Sequence, residues 1–258
     1  PWSWKDTISG FIIEDCAQCV GGKWKGKKAG TFGDIAIFSG QGTKNLTMGE
    51  GGWLCMDDEE LYERCCSIRN HGDYYKYKFP NKKYPYLQNV FGYNLRCTEL
   101  QAAIGRCQLK KLPMFLKHFK KNAEMIFDLL PEGIEPPYIP KEVEHAYFIL
   151  GCKWLKNPSL KQKFLESLWN RRKREKMLFS DKLPDIPGSN QPPGYTIGGG
   201  YSQPLYDIPL YQKYKRLCPN TEQYIKQALW IDIHRFTTDE RIKKEMEIFN
   251  KVYKEIEG

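Results

Sequence analysis

The chain has 258 residues, of which 41% are hydrophobic, and it carries a formal net charge of +9 at pH 7. This length allows one large or two ordinary domains with a sizeable core, and the composition excludes a disordered chain. No apolar run approaches the roughly 20 residues of a membrane-spanning helix, and the first residues lack the layout of a signal peptide. We therefore expect a cytoplasmic protein with no membrane partner.

The positive charge lies in short, separate clusters, the main ones being 23–28, 110–111, 117–121 and 171–174. Such clusters on helix faces and loops are usually solvated, so nucleic acid is not the expected partner. Attraction of a phosphorylated small substrate explains the charge at least as well.

The nine cysteines are scattered, which is typical of reduced, mostly buried thiols. Cys16 and Cys19 have the spacing of a redox pair or half a metal site. No second pair with zinc-ligand spacing accompanies them, so two small residues after a buried strand is the simpler interpretation, and no metal is predicted.

Strand-like and helix-like segments alternate over the first 70 residues. The predicted strands are 11–15, 34–39 and 53–56, and a helix capped by Asp57 or Asp58 is predicted to run to Arg69. The first strand ends in Asp15 and the second in Ser39. A glycine-rich loop over 40–52 then carries Lys44.

The middle of the chain contains a long loop and two helical segments. Residues 72–91 have no hydrophobic period and read as a surface loop, while Thr98 and Gln101 form a capping box that opens a helix. Pro113 starts or kinks a second helix that runs to about residue 130. Residues 131–137 break it, so we predict a domain of residues 1–131 followed by one of residues 132–258.

The second predicted domain also alternates strands and helices. Its predicted elements are a strand over 147–152, a helix over 160–177, a loop over 183–204, a strand over 228–233 and a C-terminal helix with a stripe of Ile242, Met246, Phe249, Tyr253 and Ile256. The fold class is therefore α/β.

A carboxylate, a hydroxyl and a lysine follow successive strands and could converge where open α/β sheets place ligands. A partly desolvated lysine attacks aldehydes, and an Asp beside a pyridine nitrogen keeps that ring protonated. By spacing alone, however, a solvated loop residue is the favoured interpretation of Lys44.

The residues of the motifs around Lys44 favour the interpretation that this lysine reacts with an aldehyde. Residues 13–18 (IEDCAQ), 26–34 (GKKAGTFGD), 38–39 (FS) and 43–52 (TKNLTMGEGG) resemble, in this order, motifs of the DegT/DnrJ/EryC1/StrS family of sugar aminotransferases. The resemblance continues through 69–72, 92–96, 99–105 and 108–112, and more loosely to 203–206 and 218–220. It implies the pyridoxal-phosphate-dependent transferase fold type I, like that of aspartate aminotransferase, with part of a large domain followed by a small C-terminal α/β domain.

The resemblance implies a role for each site residue, with pyridoxal 5'-phosphate as the cofactor. Lys44 would hold it as a Schiff base and, with Asp15 at the pyridine nitrogen, would be catalytic. Gln18 would contact the phenolic oxygen, and Ser39 the phosphate. Asn94 would reach the cofactor phosphate of a neighbouring subunit, which implies a homodimer with shared sites.

Three further residues are weaker candidates. Arg96 is a possible contact for an anionic substrate, while His71 and Glu14 would act behind the residues that touch the cofactor, or be structural. The implied reaction moves an amino group from glutamate or glutamine to a keto-sugar. In this family the sugar is usually nucleotide-linked, and the product belongs to amino-sugar and polysaccharide biosynthesis.

The sequence departs from the family in two respects. It begins near the strand at 11–15, without the upstream phosphate loop and stacking aromatic ring, so we expect it to be truncated at its N-terminus. Residues 40–43 replace a usual Phe-His-Pro-Thr stretch, so we expect a loop that is either looser or shaped for a different substrate. The alternatives are a sugar 3-dehydratase, whose branch has histidine at position 44, and a regulatory or vestigial protein without turnover.

Overall fold

The structure, a computed structural model, describes residues 10–73, 90–174, 197–198, 203–233 and 237–257. The chain divides into two compact units. Unit 1 comprises residues 1–116 with 141–146, and unit 2 comprises residues 117–140 with 147–258. The domain boundary after residue 131 stays a prediction.

Unit 1 contains two small sheets and two helical segments. Its elements are β1 (Ile13–Asp15), β2 (Lys23–Trp24), β3 (Lys27–Lys28), β4 (Ile35–Ser39), β5 (Gly52–Cys55), α1 (Glu59–Arg69), the first part of α2 (Glu99–Asp128) and β7 (Val143–Glu144). Strand β4 lies between β1, which is parallel to it, and β5, which is antiparallel. The second sheet has the order β3-β2-β7 and is antiparallel.

Local capping explains where both helices begin. Asp58 caps α1, because its side chain accepts a hydrogen bond of 2.7 Å from the Leu61 nitrogen. Thr98 and Gln101 cap α2 reciprocally: the Thr98 nitrogen donates to Gln101 Oε1 over 2.9 Å, and the Gln101 nitrogen donates to Thr98 Oγ1 over 3.3 Å. Both predicted starts are confirmed.

Helix α2 is continuous through Pro113, so the prediction that this proline starts a separate helix is wrong. Proline removes one backbone hydrogen bond and crowds the preceding turn. Here Leu112 and Phe115 on either side are buried, and Leu112 packs with Val20 and Leu46. We attribute the continuity to this burial. A kink at Pro113 stays a prediction.

Unit 2 is built on a four-stranded antiparallel sheet. Its elements are β6 (Ile134–Glu135), β8 (Ile149–Trp154), β9 (Ile197–Gly198), β10 (Ala228–Asp232), the rest of α2, α3 (Pro158–Arg174), α4 (Pro219–Gln227), α5 (Asp239–Glu257) and two 3-10 turns at Leu205–Asp207 and Pro209–Tyr214. The strand order is β6-β8-β10-β9. Aromatic rings of Trp154, Phe164, Phe249 and Tyr253 contact one another in its core.

Most predicted elements of unit 2 are present with shifted ends. The strand expected over 147–152 is Ile149–Trp154, and the helix expected over 160–177 is Pro158–Arg174. The stripe of the C-terminal helix is confirmed, since four of its five members are buried in α5. Most of the predicted loops 72–91 and 183–204 lies outside the described residues. Within the described ranges, no helix is long and apolar enough to cross a membrane.

Candidate functional site

Asp15 and Ser39 project from the same face of the sheet in unit 1. Strands β1 and β4 are parallel, with Asp15 paired to Ile37. Ser39 follows Ile37 by two residues and therefore shares its face. Standard strand spacing separates the Asp15 and Ser39 Cα atoms by about 8 Å. A carboxylate and a hydroxyl thus lie together at the carboxyl ends of two neighbouring parallel strands.

Glu14 points to the opposite face and holds the loop that precedes β4. Its Oε1 accepts hydrogen bonds from the Phe32 and Gly33 nitrogens over 2.5 and 2.6 Å, and its Oε2 accepts one of 2.8 Å from the Gly30 nitrogen. Next to it, Asp34 Oδ2 accepts from the Ile12 nitrogen over 2.8 Å. These contacts fix the register of β1 against β4, on which the position of Asp15 depends.

Lys44 lies half-buried in a loop that is anchored on both sides of it. Before it, a turn is closed by the Lys44 nitrogen, which donates to the Gln41 carbonyl over 3.0 Å. After it, the buried Asn45 donates through Nδ2 to the Ala146 carbonyl over 2.6 Å, and Leu46 is 2% exposed in the hydrophobic cluster. The backbone at Lys44 is therefore held on both sides, despite the unusual residues at 40–43.

Gln18 is exposed in a turn directly after β1, which the Cys19 nitrogen closes by donating to the Cys16 carbonyl over 3.1 Å. This turn keeps Gln18 close in sequence and space to the end of β1. The Cys16 and Cys19 thiols hydrogen-bond to each other, and burial raises the pKa of Cys16 to about 12. A thiol with so high a pKa stays protonated and unreactive at neutral pH. No cluster of three or more possible metal ligands occurs among the described residues.

Asn94 and Arg96 form a second polar cluster with His71. Arg96 Nε donates to Asn94 Oδ1 over 3.1 Å, and Arg96 Nη2 lies 3.4 Å from His71 Nε2. All three side chains are exposed. Asn94 and Arg96 lie just before α2, and that helix is tied to the glycine-rich loop by Gln101 Nε2, which donates to the Glu50 carbonyl over 2.9 Å.

The backbone crossing beside this cluster requires glycine at two positions. A Cβ at Gly92 would lie 2.1 Å from the Gly72 nitrogen, and one at Gly72 would lie 1.6 Å from the Val90 carbonyl oxygen. Both are far below any real contact distance, so neither position has room for a side chain. The glycines let the segment after α1 run directly against the segment before α2.

The structure thus groups the predicted residues into two sets. In the first set, Asp15 and Ser39 end β1 and β4, and Gln18 and Lys44 lie in the loops that directly follow these strands. The second set consists of Asn94, Arg96 and His71. Sequence reasoning missed the anchoring role of Asn45. Nothing in the sequence could signal it, because its partner carbonyl is 101 residues away.

Comparison with known proteins decides the family. The DegT/DnrJ/EryC1/StrS aminotransferase family matches residues 6–188, which is well over half of the chain. The chain belongs to this family. The resemblance found in the motifs is confirmed.

Two curated relatives match the chain over about half its length. GDP-perosamine synthase of Escherichia coli O157:H7 is 36% identical over 141 residues, which cover 55% of this chain and 37% of that protein. GDP-4-keto-6-deoxy-D-mannose 3-dehydratase of Yersinia pseudotuberculosis is 35% identical over 144 residues, covering 52% of this chain and 36% of that protein. The aligned region is thus little more than a third of either relative.

Solved structures show the fold over nearly the whole chain. Helicobacter pylori PseC, an aminotransferase involved in the biosynthesis of pseudoaminic acid, superposes with a TM-score of 0.78 at 21% identity. The match covers 98% of this chain and 62% of that one. The predicted fold class, α/β of the sugar aminotransferase type, is confirmed.

Proposed function

We propose that the protein is a pyridoxal-phosphate-dependent aminotransferase that moves an amino group from glutamate or glutamine to a keto-sugar. The observation that carries this proposal is the placement of Asp15 and Ser39 on one sheet face, followed by Lys44 in an anchored loop. Family membership supports the same reaction. The substrate we propose is nucleotide-linked, and the product serves amino-sugar or polysaccharide biosynthesis.

The residues around β1 and β4 fit the cofactor in chemistry and arrangement. A carboxylate at Asp15 would pair with a protonated pyridine nitrogen, and the Ser39 hydroxyl would donate to the phosphate. Within the described part of the chain, the Asp15 side chain makes one hydrogen bond, accepting from the Ala17 nitrogen over 3.0 Å. Acceptor capacity of this carboxylate is therefore left for a ligand. Gln18 would contact the phenolic oxygen.

Lys44 would act twice in this scheme. Its Nζ would hold the cofactor covalently at the aldehyde carbon, and after displacement by the amino donor the free amine would carry a proton to and from the substrate carbon. The bound cofactor supplies an electron sink that makes this proton transfer possible. The hydrogen bonds on either side of Lys44 would keep its amine at the reacting atoms.

The proposal also includes the oligomeric state and the cellular location of the enzyme. We propose a homodimer in the cytoplasm, because Asn94 would contribute to the cofactor phosphate site of a neighbouring subunit. The exposure of Asn94 and Arg96 in the single chain supports this arrangement.

A 3-dehydratase is the second candidate function, and the similarity to the Yersinia enzyme supports it. Lysine at position 44 favours the aminotransferase.

The test is covalent trapping of the cofactor. The purified protein is mixed with pyridoxal phosphate, reduced with borohydride and digested, and the modified peptide is identified by mass spectrometry. We expect modification of Lys44 in the wild type and none in Lys44→Ala. Lys110→Ala is the matched control, because it removes an exposed lysine on α2 that lies outside the proposed site.

Two outcomes would change the assignment. A wild-type protein without a trappable adduct would contradict catalysis by this chain and favour a regulatory or vestigial role. An adduct at Lys44 that does not accept an amino group from glutamate or glutamine would favour the dehydratase. Release of 2-oxoglutarate from glutamate in a single turnover distinguishes these cases.

A further inference from the structure

Arg96 contacts one partner in its own segment, Asn94, and one from a separate segment, His71. Its Nε donates to Asn94 Oδ1 over 3.1 Å, and its Nη2 lies 3.4 Å from His71 Nε2. His71 follows α1 and Asn94 precedes α2, so the contact closes across the glycine crossing at Gly72 and Gly92. The family resemblance accounts for Asn94 but not for this arrangement.

The chemistry of the guanidinium fixes the direction of both hydrogen bonds. Arginine has only donors, so the Asn94 atom that faces it must be the carbonyl oxygen and the facing His71 nitrogen must be an acceptor. The two protons of Asn94 Nδ2 are left for another acceptor, since the side chain makes no other hydrogen bond within the described ranges.

The backbone at His71 is strained, with a φ of +63° in the left-handed region. For a residue other than glycine, such a conformation is uncommon, and such strained residues cluster at functional sites. Neighbouring hydrogen bonds impose it: the His71 nitrogen donates to the Tyr93 carbonyl and the Gly72 nitrogen to the Ser67 carbonyl, each over 2.9 Å. The fold thus holds His71 where its ring reaches Arg96.

We propose that Arg96 is a positioning residue that orients the Asn94 amide toward a phosphate, and that His71 holds Arg96 in place. This inference rests on the proposed function, which assigns a phosphate to Asn94. The phosphate belongs to the cofactor or to the diphosphate of a nucleotide-linked substrate, and both present the same acceptor oxygens. Without Arg96 the Asn94 amide is free to flip. Its carbonyl oxygen would then face the phosphate, and the two acceptors would repel each other.

The experiment compares ligands with and without a phosphate. Dissociation constants of the purified protein are measured for pyridoxal phosphate, for pyridoxal and, in a separate arm, for GDP. Arg96→Lys keeps the positive charge but loses the planar Nε donor. Arg64→Gln is the control, because it removes an exposed arginine of α1 that lies outside the cluster.

We expect Arg96→Lys to weaken binding of pyridoxal phosphate about tenfold, the effect of one lost hydrogen bond, and to leave pyridoxal unchanged. His71→Leu should behave like Arg96→Lys. His71→Gln, which restores an acceptor, should bind like the wild type. The control should match the wild type for every ligand. A loss confined to GDP would assign the phosphate to the substrate and still support the positioning role.

Two results would overturn the inference. One is equal weakening of pyridoxal phosphate and pyridoxal, which indicates general disruption of the site. The other is unchanged binding of all three ligands in Arg96→Lys. If the wild type forms no adduct with pyridoxal phosphate or pyridoxal, the proposed function fails. The cluster is then tested by titrating inorganic phosphate and following the Asn94 side-chain amide signals by NMR, where Arg96→Lys must abolish the response.

Discussion

Replacement of Glu14 by glutamine should destabilise unit 1 without changing the size of any side chain. The carboxylate accepts three backbone hydrogen bonds, from Gly30, Phe32 and Gly33, over 2.8, 2.5 and 2.6 Å. The amide oxygen of glutamine can keep the two bonds at Oε1. Its nitrogen, however, then faces the Gly30 N–H, and two donors oppose each other.

The loss in free energy of unfolding can be estimated from the hydrogen bonds that are lost or weakened. One hydrogen bond to a charged acceptor is lost, worth about 1.5–3 kcal/mol, and two others become weaker neutral bonds. Because Glu14 is only half-buried, solvent screens part of the loss. We expect the free energy of unfolding to fall by about 2–4 kcal/mol.

Urea unfolding, followed by tryptophan fluorescence, measures the change, and amide hydrogen exchange at Gly30, Phe32 and Gly33 localises it. Glu50→Gln is the control, because it removes the same charge from an exposed side chain. A Glu14→Gln protein that unfolds within about 0.5 kcal/mol of the control, with unchanged exchange at the three amides, would refute the reasoning.

Three further changes test other parts of the fold. Gly92→Ala places a Cβ 2.1 Å from a backbone nitrogen of the crossing segment, so urea titration should show a loss of about 1–3 kcal/mol, and an unchanged midpoint would contradict the crossing. Glu245→Ala removes the carboxylate 3.0 Å from the buried Arg172 guanidinium and should cost about 3–5 kcal/mol in thermal unfolding, whereas the exposed Glu247→Ala should cost little. Burial raises the pKa of Cys152 from 9.0 to about 12, so above pH 9 the unfolded chain loses a proton that the folded chain keeps. Stability should therefore fall by about 1.4 kcal/mol per pH unit from this group, and a Cys152→Ala protein with the same pH slope as the wild type would exclude it.

Local patterns in the sequence were sufficient for much of unit 1. The run ending in Asp15, the run ending in Ser39 and the capping residues Asp58 and Thr98 all predicted elements that the structure contains. Each of these signals depends on residues a few positions apart, because helix caps and strand alternation are short-range effects. The prediction of a helix start at Pro113 was wrong, because packing of the surrounding helix face outweighed the tendency of proline to interrupt a helix.

By itself, the sequence determined the family, the α/β class and the identity of the candidate residues, since these depend on motifs and hydrophobic periods within single segments. Only the tertiary structure decided how Asn45 is anchored, which face Asp15 shares with Ser39, and how Arg96 meets His71. The physical reason is that these contacts join residues 22 to 101 positions apart, as for Asp34 with Ile12, Arg96 with His71 and Asn45 with Ala146. Strand register and backbone crossings bring such residues together, and a local sequence pattern specifies neither of them.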